Sequence, residues 1–419
     1  MYGTKTVEEV TEKLIDYRGK TPKKTESGIK LITAKVIKSG FIVDGDHEYI
    51  ARRDYDLWMR RGMPRQWDIL ITTEAPLGEL AQLRSPEQIA LAQRVILLRG
   101  KPSVINQSYF FHALKSPIVQ AELRARCSGT TVLGIKQSEL LQVKIPCPPL
   151  PIQDKIAALL SPYDSLIENN TRRIKILEEI AQRIYREWFV TFRLPGHEQF
   201  RLEESEFGRV PRGWCQPYPD YVNFLEGPGL RRWQYRDSGL RFLNIRTIAN
   251  GDVDLSRTQF VDPAEAEAKY KHFLLSEYDH VVSSSGTIGR IVTIRREHLP
   301  LMLNTSVIRM RPKSEAVGKW QLKHFLKSDY FQTQIKAFAS GVAQMNFGPL
   351  HLKQMKIIAP PASTGRAYEK LVAPIEELIC ALTAKNTLLR QTRDLLLPKL
   401  VSGEVSFEEL ETEIANQVS

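Results

Sequence analysis

The segment SGTTVLGIKQSELLQVKIPCPP at residues 128–149 recurs 212 residues later as SGVAQMNFGPLHLKQMKIIAPP at 340–361, with eight identical positions. Further blocks lie on this diagonal or within one residue of it: HALKS at 112–116 with HFLKS at 324–328, residues 67–70 with 278–281, Gly28 with Gly239, and Gly78 with Gly289. Ordered blocks at a nearly constant offset indicate an internal duplication. The chain is therefore predicted to contain two copies of one structural unit.

The composition is that of an ordinary globular protein. With 419 residues, 42% hydrophobic and 26% charged, the chain is expected to form two or three domains. No apolar run reaches the roughly 18 residues of a membrane-spanning helix, and residues 1–14 lack the apolar core of a signal peptide. The four cysteines have no CxxC or Cys/His spacing, which indicates reduced thiols: Cys127, Cys147, Cys215 and Cys380. We therefore expect a cytoplasmic protein without a membrane contact or a bound metal.

A long helical pattern follows each Pro-Pro pair. Between Ile152 and Val190 there is no glycine, and a stripe of mainly apolar residues recurs in steps of 4 and 3, which is the period of a coiled-coil seam. Adding 212 reproduces the register in the second copy. The spacing predicts two antiparallel helices, residues 151–192 and 363–405, with polar interruptions at Asn170, Arg173, Lys385 and Thr392. The predicted seam consists of Leu159, Tyr163, Leu166, Leu177, Ile180, Ile184, Leu371, Ile375, Leu378, Leu382, Leu389 and Leu396.

Some details of these helices have two interpretations. The stripe fits packing of the two helices on each other, or packing of each helix on its own domain. Pro162 and Pro374 occupy equivalent positions and predict a kink or a staggered start. Pro398 and then Gly403 are expected to end the second helix, before an acidic tail at 406–419. The aromatic end of the first helix is either a protein-partner interface or a cap on the coil's own core: Tyr185, Trp188 and Phe189.

The rest of each copy has the pattern of a mixed α and β domain. Residues 1–150 form the first domain, and residues 193–362 contain a linker and the second. Short β-branched runs alternate with helical stretches without a regular βαβ rhythm: strands are predicted at 95–98, 143–145 and 307–310, and helices at 106–126 and 318–338. The predicted fold class is α+β, with two globular domains separated by two long antiparallel coiled-coil helices in a pseudo-two-fold internal repeat.

The charge balance indicates a polyanionic partner. The net charge is +11, and Lys and Arg gain affinity for DNA by releasing counterions from phosphates. Basic clusters occur at similar places in both domains, beside aromatic residues, although a single cluster is more often a solvated face. The candidate DNA-binding cations are Lys20, Lys23, Lys24, Arg52, Arg53, Arg60, Arg61, Arg65, Arg94, Arg231, Arg232, Arg236, Arg241, Arg246 and Arg290.

Two glycine-containing turns are further candidates for DNA contact. Residues 72–78 (TTEAPLG) and 283–290 (SSSGTIGR) could present backbone N–H groups to phosphate, with Thr73 and Ser284 among them. An ordinary tight hairpin explains both turns equally well.

Catalytic motifs are absent from the sequence. There is no GxxxxGK[ST] loop and no GxGxxG after a strand, and neither Pro-Pro pair completes the Asn/Asp-Pro-Pro-aromatic motif of amino-methyltransferases. Asp262, Glu267 and Lys269 faintly resemble a nuclease set, but they fall in an Ala/Glu-rich helical stretch. The expectation is a recognition protein with no catalytic residues.

Several segments, in this order, resemble the specificity subunits of type I restriction–modification systems. Residues 151–164 (PIQDKIAALLSPYD), continuing through LEEI at 177–180 to YREWF at 185–189, are similar to the central conserved region of that family. The end of its C-terminal conserved region resembles LLLPKLVSGE at 395–404. FGRVPRGW at 207–214 is similar to the usual entry to the second target-recognition domain, and QRVILLR at 93–99 to a strand of the first.

The resemblance implies two target-recognition domains, each recognising half of a bipartite, asymmetric site in double-stranded DNA. It also implies that the helices dock two methyltransferase subunits and that restriction/translocase subunits join the complex. S-adenosylmethionine, ATP and Mg would then be bound by those partners and none by this chain. Two other hypotheses remain: a coiled-coil scaffold without specific DNA binding, and a self-sufficient nuclease or methyltransferase.

Overall fold

The computed structural model describes residues 2–17, 19–43, 45, 47–85, 87–129, 133–249, 251–339 and 346–405. These residues form two compact units. The first unit contains the residues up to Asn169 together with those from Asn386 onward, and the second contains Asn170–Lys385. Each unit therefore takes one half of each long helix. The acidic tail predicted at 406–419 lies outside the described residues.

The first unit is built on two four-stranded sheets. One sheet is antiparallel, in the order Thr11–Asp16, Val95–Gly100, Ile69–Thr73 and Leu77–Gln82, with Val95 opposite Thr72. The other has the order Ile89–Leu91, Ile29–Ile32, Glu48–Ile50 and Lys24–Thr25, and its first pair is parallel. Strand 95–100 is buried on both faces because two hydrophobic clusters pack against it.

The second unit repeats this topology strand by strand. Its antiparallel sheet has the order Val222–Glu226, Val307–Pro312, His280–Ser283 and Ile291–Thr293, and its mixed sheet the order Leu301–Leu303, Leu240–Leu243, Gln259–Val261 and Tyr235–Arg236. Val307 lies opposite Ser283, the positions predicted from Val95 and Thr72 by the two sequence offsets. The internal repeat and the α+β fold class are confirmed.

The remaining elements complete the two units. In the first unit these are strands Thr4–Thr6, Ile37–Lys38, Phe41–Ile42 and Lys144–Pro146, helices Val7–Val10, Tyr55–Trp58, Gln107–Lys115, Pro117–Ala125 and Gln137–Leu141, and 3-10 turns Ala34–Val36 and Arg52–Asp54. In the second unit they are strands Leu202–Ser205, Gly208–Pro211, Cys215–Pro217, Ile248–Ala249, Asp252–Val253 and Lys356–Ile358, helices Tyr218–Tyr221, Pro263–Lys269, Lys319–Lys327, Asp329–Ala339 and Pro349–Leu352, and 3-10 turns His197–Gln199, Arg232–Gln234, Ile245–Thr247, Leu255–Arg257, Lys271–Phe273 and Arg296–His298.

The helical stretches predicted at 106–126 and 318–338 are confirmed, and each consists of two helices. In the first unit the chain breaks at Ser116, whose extended backbone caps the second helix and whose Oγ accepts a hydrogen bond from the Val119 N–H at 3.4 Å. Pro117 follows at the first helical position, where its missing N–H costs nothing. Ser328 takes the equivalent position in the second unit.

The two long helices span Leu150–Phe189 and Ala362–Ser402. Pro398 does not end the second one, contrary to the prediction. Leu397, Leu400 and Val401 are buried in the core of the first unit, and this burial offsets the backbone hydrogen bond that proline removes. The helix ends before Gly403, which has the left-handed φ of 73° that glycine tolerates best.

Contacts within each unit make the helices antiparallel. In the first unit Asp164 contacts Arg393, and the Ile167 carbonyl accepts a hydrogen bond from Asn386 at 3.4 Å, so numbers rise along one helix as they fall along the other. In the second unit the Tyr185 ring lies 6.4 Å from that of Tyr368.

Among the predicted seam residues and their polar interruptions, only Leu382 and Asn170 are buried. Leu166 and Leu371 are 44% and 46% exposed, and Ile180 and Leu378 are also exposed. The buried stripe instead lies one position later, and it repeats at an offset of 212: Ile156/Tyr368, Leu160/Val372, Asp164/Glu376, Ile167/Ile379, Ala181/Arg393 and Tyr185/Leu397. The equal register of the two helices is thus retained on a neighbouring face, which packs on both the other helix and the globular part of its unit.

The aromatic end of the first helix belongs to the core of the second unit. Tyr185 and Phe189 are fully buried, and Trp188 is partly buried with its ring 5.7 Å from that of Tyr368. Of the two sequence-based interpretations, the structure agrees with a cap on the protein's own core, because buried side chains are not available to a partner.

Candidate nucleic-acid interface

The second unit contains an open cleft of about 880 Å³ with a cationic lining. Arg246, Arg257 and Arg290 line it, together with the amides of Asn244 and Gln259. The apolar part of the lining comes mainly from the 3-10 turn at 245–247, the short hairpin at 248–253 and Ile291. Three guanidinium groups around one cleft suit an anionic ligand.

Arg290 is held by the hairpin loop between strands His280–Ser283 and Ile291–Thr293. The buried Ser283 Oγ donates a hydrogen bond to the Thr287 carbonyl at 2.6 Å and accepts one from the Arg290 N–H at 2.9 Å. Gly289, with φ 78°, lets the chain turn into the second strand. The Arg290 side chain donates to the Ile248 carbonyl at 3.4 Å, a long bond that leaves most of its donors available.

The opposite wall of the cleft, the short hairpin, is held in place by buried side chains behind it. Arg295 is buried and forms a bidentate ion pair with Asp252, at 2.8 and 2.9 Å, and His298 Nε2 lies 3.3 Å from the same carboxylate. Burial alone would raise the pKa of Asp252, but the hydrogen bonds from His298 and Arg295 outweigh it and hold that pKa well below its usual range. Asp252 therefore stays ionised and fixes the hairpin at 248–253 to the body of the unit.

The equivalent surface of the first unit carries different charges. The matched registers place Lys35 at the position of Arg246, Glu48 at that of Gln259 and Glu79 at that of Arg290. Glu79 Oε2 accepts a hydrogen bond from the Ser39 N–H at 2.9 Å, and Glu48 pairs with Lys24 at 2.9 Å. The two copies thus differ in charge at the same place in the fold, with a carboxylate, Glu79, at the position of Arg290 and a cation at both Lys35 and Arg246.

An aromatic residue stands beside the other basic candidates of the second unit. Trp233 is 73% exposed on the 3-10 turn 232–234. The turn is ordered from below by Gln234, whose buried amide donates to Glu265 at 2.8 Å and to the Tyr270 hydroxyl at 3.1 Å. An exposed indole on a fixed turn among cations is a suitable stacking surface for a nucleobase. The predicted cations Arg231, Arg232, Arg236 and Arg241 are exposed in this region.

The predicted cations of the first unit lie on separate turns and strand ends. Lys20, Lys23, Arg52, Arg60 and Arg65 are exposed. The others have partners within the unit: Lys24 with Glu48, Arg53 with Asp54 at 3.9 Å, Arg94 with Glu74 at 2.8 Å, and Arg61 with the Asp16 carbonyl and the Tyr17 ring. Their contact with DNA remains a prediction.

The prediction that Thr73 and Ser284 contact DNA is wrong, because both side chains are buried. They are 1% and 2% exposed, so neither hydroxyl is accessible to a phosphate. Both turns are hairpin loops between antiparallel strands, in agreement with the ordinary-hairpin interpretation. The sequence pattern could not reveal this, because hydroxyl residues are common both in exposed turns and at buried strand ends.

Three residues of the cleft were missed by sequence reasoning: Asn244, Arg257 and Gln259. Each is a single polar residue on a different element, and they meet Arg290 only because the mixed sheet and the hairpin loop converge. A search for contiguous basic clusters has no means of finding them. The one sequence signal for these three residues is that the equivalent positions of the first copy, 211 residues earlier, hold different residue types.

Buried carboxylates join the long helices to the globular parts. In the first unit Asp164 pairs with Arg393 at 2.5 Å and lies 3.6 Å from Arg84, with His112 Nε2 at 3.9 Å. Burial alone would raise the pKa of Asp164, but Lys115, His112 and Arg393 together lower it. Burial lowers the pKa of His112 to about 4, so this imidazole is neutral at pH 7.

The equivalent carboxylate in the second unit, Glu376, has different partners. Lys323 forms a buried ion pair with it, and His324 Nε2 lies 2.8 Å from Oε1. Burial would raise the pKa of Glu376, but His324 and Lys323 lower it to about 2. His324 Nδ1 lies 2.7 Å from the Tyr368 hydroxyl, so a neutral imidazole that donates from Nε2 satisfies both contacts.

The remaining sequence candidates for catalysis have structural roles. Asp262 caps the helix Pro263–Lys269, and its Oδ1 accepts a hydrogen bond from the Ala264 N–H at 2.8 Å. Glu267 pairs with Lys271 at 2.5 Å. Within the described ranges there is no group of three or more His, Cys, Asp or Glu residues that could hold a metal ion. No helix in those ranges has the length and apolar character that crossing a membrane requires.

Comparison with known proteins agrees with this architecture. The sequence model of the type I restriction modification DNA specificity domain matches residues 4–179. The type I restriction enzyme MjaIX specificity subunit of Methanocaldococcus jannaschii is 27% identical over 350 residues, which cover 82% of this chain and 78% of that protein. The MjaVIII specificity subunit of the same organism is 24% identical over 325 residues, covering 76% and 75%.

A solved structure shares the fold. The S subunit of a type I restriction-modification system from M. genitalium superposes with a TM-score of 0.58 at 16% identity, covering 96% of both chains. The resemblance of the chain to type I specificity subunits, predicted from the sequence, is confirmed.

Proposed function

We propose that this chain is the specificity subunit of a type I restriction–modification complex and binds DNA in a sequence-specific manner. Each globular domain would recognise one half of a bipartite, asymmetric target in double-stranded DNA. The observation that carries the proposal is the pair of matched folds with unlike surfaces, Arg246 and Arg290 in one copy and Lys35 and Glu79 in the other. A repeated frame with different polar groups at one position suits two different DNA sequences.

The long helices would dock the partner subunits. Apolar side chains are exposed on them at positions that repeat at an offset of 212, Leu166/Leu378 and Ile176/Leu388. Exposed apolar side chains on a helix suit a protein interface, and a repeated pair suits two copies of one partner. We assign this face to two methyltransferase subunits, with restriction/translocase subunits joining the complex.

In this proposal the chain selects the site and performs no chemistry. S-adenosylmethionine would be bound by the methyltransferase subunits, and ATP and Mg by the restriction subunits. The support on this chain is that Asp262 and Glu267, the acidic candidates for nuclease chemistry, are engaged in a helix cap and a surface ion pair.

The test is an exchange of one domain within the full chain. Residues 1–150 or 193–362 are replaced by those of a related subunit of known target, and sites are selected from a randomised duplex pool in the presence of co-expressed methyltransferase subunits. Each exchange should change one half of the selected site and leave the other half and the spacer unchanged. A change in both halves, or in neither, would contradict the two-domain model. Binding without sequence preference and without salt dependence would favour the scaffold hypothesis.

A further inference from the structure

We propose that the cleft of the second unit holds the major-groove edge of a purine base, with Arg290 and Gln259 contacting the base and Arg246 and Arg257 holding the phosphates beside it. The inference rests on the proposed DNA-binding function and assigns roles within it. It predicts a purine position in the half of the target that the second domain recognises, contacted by a set of donors that the first domain lacks at the equivalent place.

The positive charge of the cleft favours binding of an anion. The structure gives Arg246 no carboxylate partner among the described residues, and Arg290 has only its long bond to a carbonyl. Arg257 is partly neutralised by Asp254 at 3.0 Å. Two uncompensated guanidinium groups around one cleft are stabilised when phosphate replaces the solvent counterions.

The amides favour a base edge beside that phosphate. Asn244 Oδ1 accepts a hydrogen bond from the Arg246 N–H at 2.9 Å, and Asn244 Nδ2 donates to Gln259 Oε1 at 3.4 Å. This arrangement leaves Gln259 Nε2 as a donor with no hydrogen-bond partner within the described residues. Donors from a guanidinium and an amide suit the acceptors N7 and O6 on the major-groove edge of a purine, guanine above all. The cleft of about 880 Å³ has room for a nucleotide and its flanking phosphate.

The contacting groups are held by a rigid frame, as recognition requires. Ser283 fixes the loop that carries Arg290, and the Arg295–Asp252 ion pair fixes the opposite wall. A base of the wrong type would leave these donors unpaired, because the cleft cannot rearrange to satisfy them.

The first unit lacks this combination. Lys35, Glu48 and Glu79 replace Arg246, Gln259 and Arg290, so two of the three positions are acidic and both carboxylates already have partners. The major-groove edge of guanine presents the acceptors N7 and O6 and no donor for a carboxylate. The specificity assigned to the cleft is therefore confined to the half of the target that the second domain recognises.

The test compares base preferences and salt dependence in the full chain. Sites are selected from a randomised duplex pool by the wild type, Arg290→Lys, Gln259→Ala and Arg246→Ala, with Arg209→Ala, an exposed cation on another strand, as the matched control. Arg290→Lys keeps the charge but loses the planar pair of donors. It should reduce discrimination at one purine position, in one half-site, by about 5- to 150-fold while non-specific affinity stays within about twofold. Arg246→Ala should weaken binding to all sequences alike and lower the slope of log K against log salt by about 1.

The outcomes separate this inference from the function on which it rests. A wild-type chain that selects two half-sites, with variants Arg290→Lys and Gln259→Ala that keep every base preference, overturns the inference and leaves the function intact. A wild-type chain that selects no sequence overturns both. Since all four substituted residues are exposed, the urea midpoints of the variants should match the wild type, which excludes misfolding as a cause of lost preference.

Discussion

Replacing Glu376 with glutamine should destabilise the second unit without changing its shape. In the wild type, His324 Nε2 lies 2.8 Å from the Glu376 carboxylate. Glutamine has nearly the volume of glutamate and keeps an oxygen atom that can accept this hydrogen bond. The negative charge is lost, and the ammonium group of Lys323, itself buried, loses its ion pair. The change therefore isolates the electrostatic part of the cluster.

The expected cost follows from the burial of both partners. Removing one member of a buried ion pair costs about 3–5 kcal/mol, because the other charge is left uncompensated. Lys323 keeps one weaker interaction, with its Nζ 5.6 Å from the centre of the Trp320 ring, which is worth about 0.5–2 kcal/mol. We therefore expect a loss of about 3 kcal/mol in the free energy of unfolding.

Urea unfolding followed by tryptophan fluorescence measures this loss, since Trp188, Trp214 and Trp320 all lie in the core of the second unit or against it. The control is the double variant Lys323→Met/Glu376→Gln, which removes both charges, keeps an oxygen for His324 Nε2 and should recover most of the stability. A loss below about 1 kcal/mol in Glu376→Gln, or a double variant as unstable as the two single changes added together, would refute the reasoning.

Three further predictions concern other parts of the chain. The pKa of His112 is lowered to about 4 by burial, against about 6.5 in the unfolded chain. As the pH is lowered from about 6.5 to about 4, the unfolded state binds the proton and the folded state does not, so the free energy of unfolding should fall by about 1.4 kcal/mol per pH unit. In His112→Phe, the urea midpoints at pH 7 and pH 5 should therefore differ less than in the wild type. An unchanged difference would show that His112 does not cause this pH dependence. Gly289→Ala places a Cβ 2.5 Å from Gln332 Oε1 at φ 78°, so its melting temperature should fall clearly further than that of Gly208→Ala, which has a similar φ of 83° with open space around it. Ile176→Asp and Leu388→Asp change exposed positions, so stability should stay within about 0.5 kcal/mol, while co-purification of methyltransferase subunits with the chain should be lost; retained partners would place the docking face elsewhere.

Much of the frame could be predicted from the sequence because it rests on repetition. The duplication, the two long helices and their common register all follow from matches at a fixed offset, and the structure pairs Val307 with Ser283 as Val95 pairs with Thr72. Repetition is informative because two copies of one fold must keep the same strand pairing, whatever their surfaces become.

Which face of each helix is buried could not be predicted. Leu159 and Leu160, and likewise Leu166 and Ile167, are adjacent apolar residues, so two neighbouring registers satisfy the same period. The buried register contains Asp164 and Glu376, which a pattern of apolar residues rejects. These carboxylates are tolerated only because Arg393 and Lys323 meet them, and those partners are distant in sequence.

The sequence by itself determined that this protein is a duplicated α+β chain with two long helices and an excess of cations. Only the tertiary structure decided which cations share a cleft. Arg246, Arg257 and Arg290 converge around Asn244 and Gln259 because a mixed sheet, a short hairpin and a loop meet there, whereas Thr73 and Ser284 turn inward and are buried. Local patterns specify elements and their period, while the convergence of residues up to 46 positions apart, from Asn244 to Arg290, depends on how those elements pack.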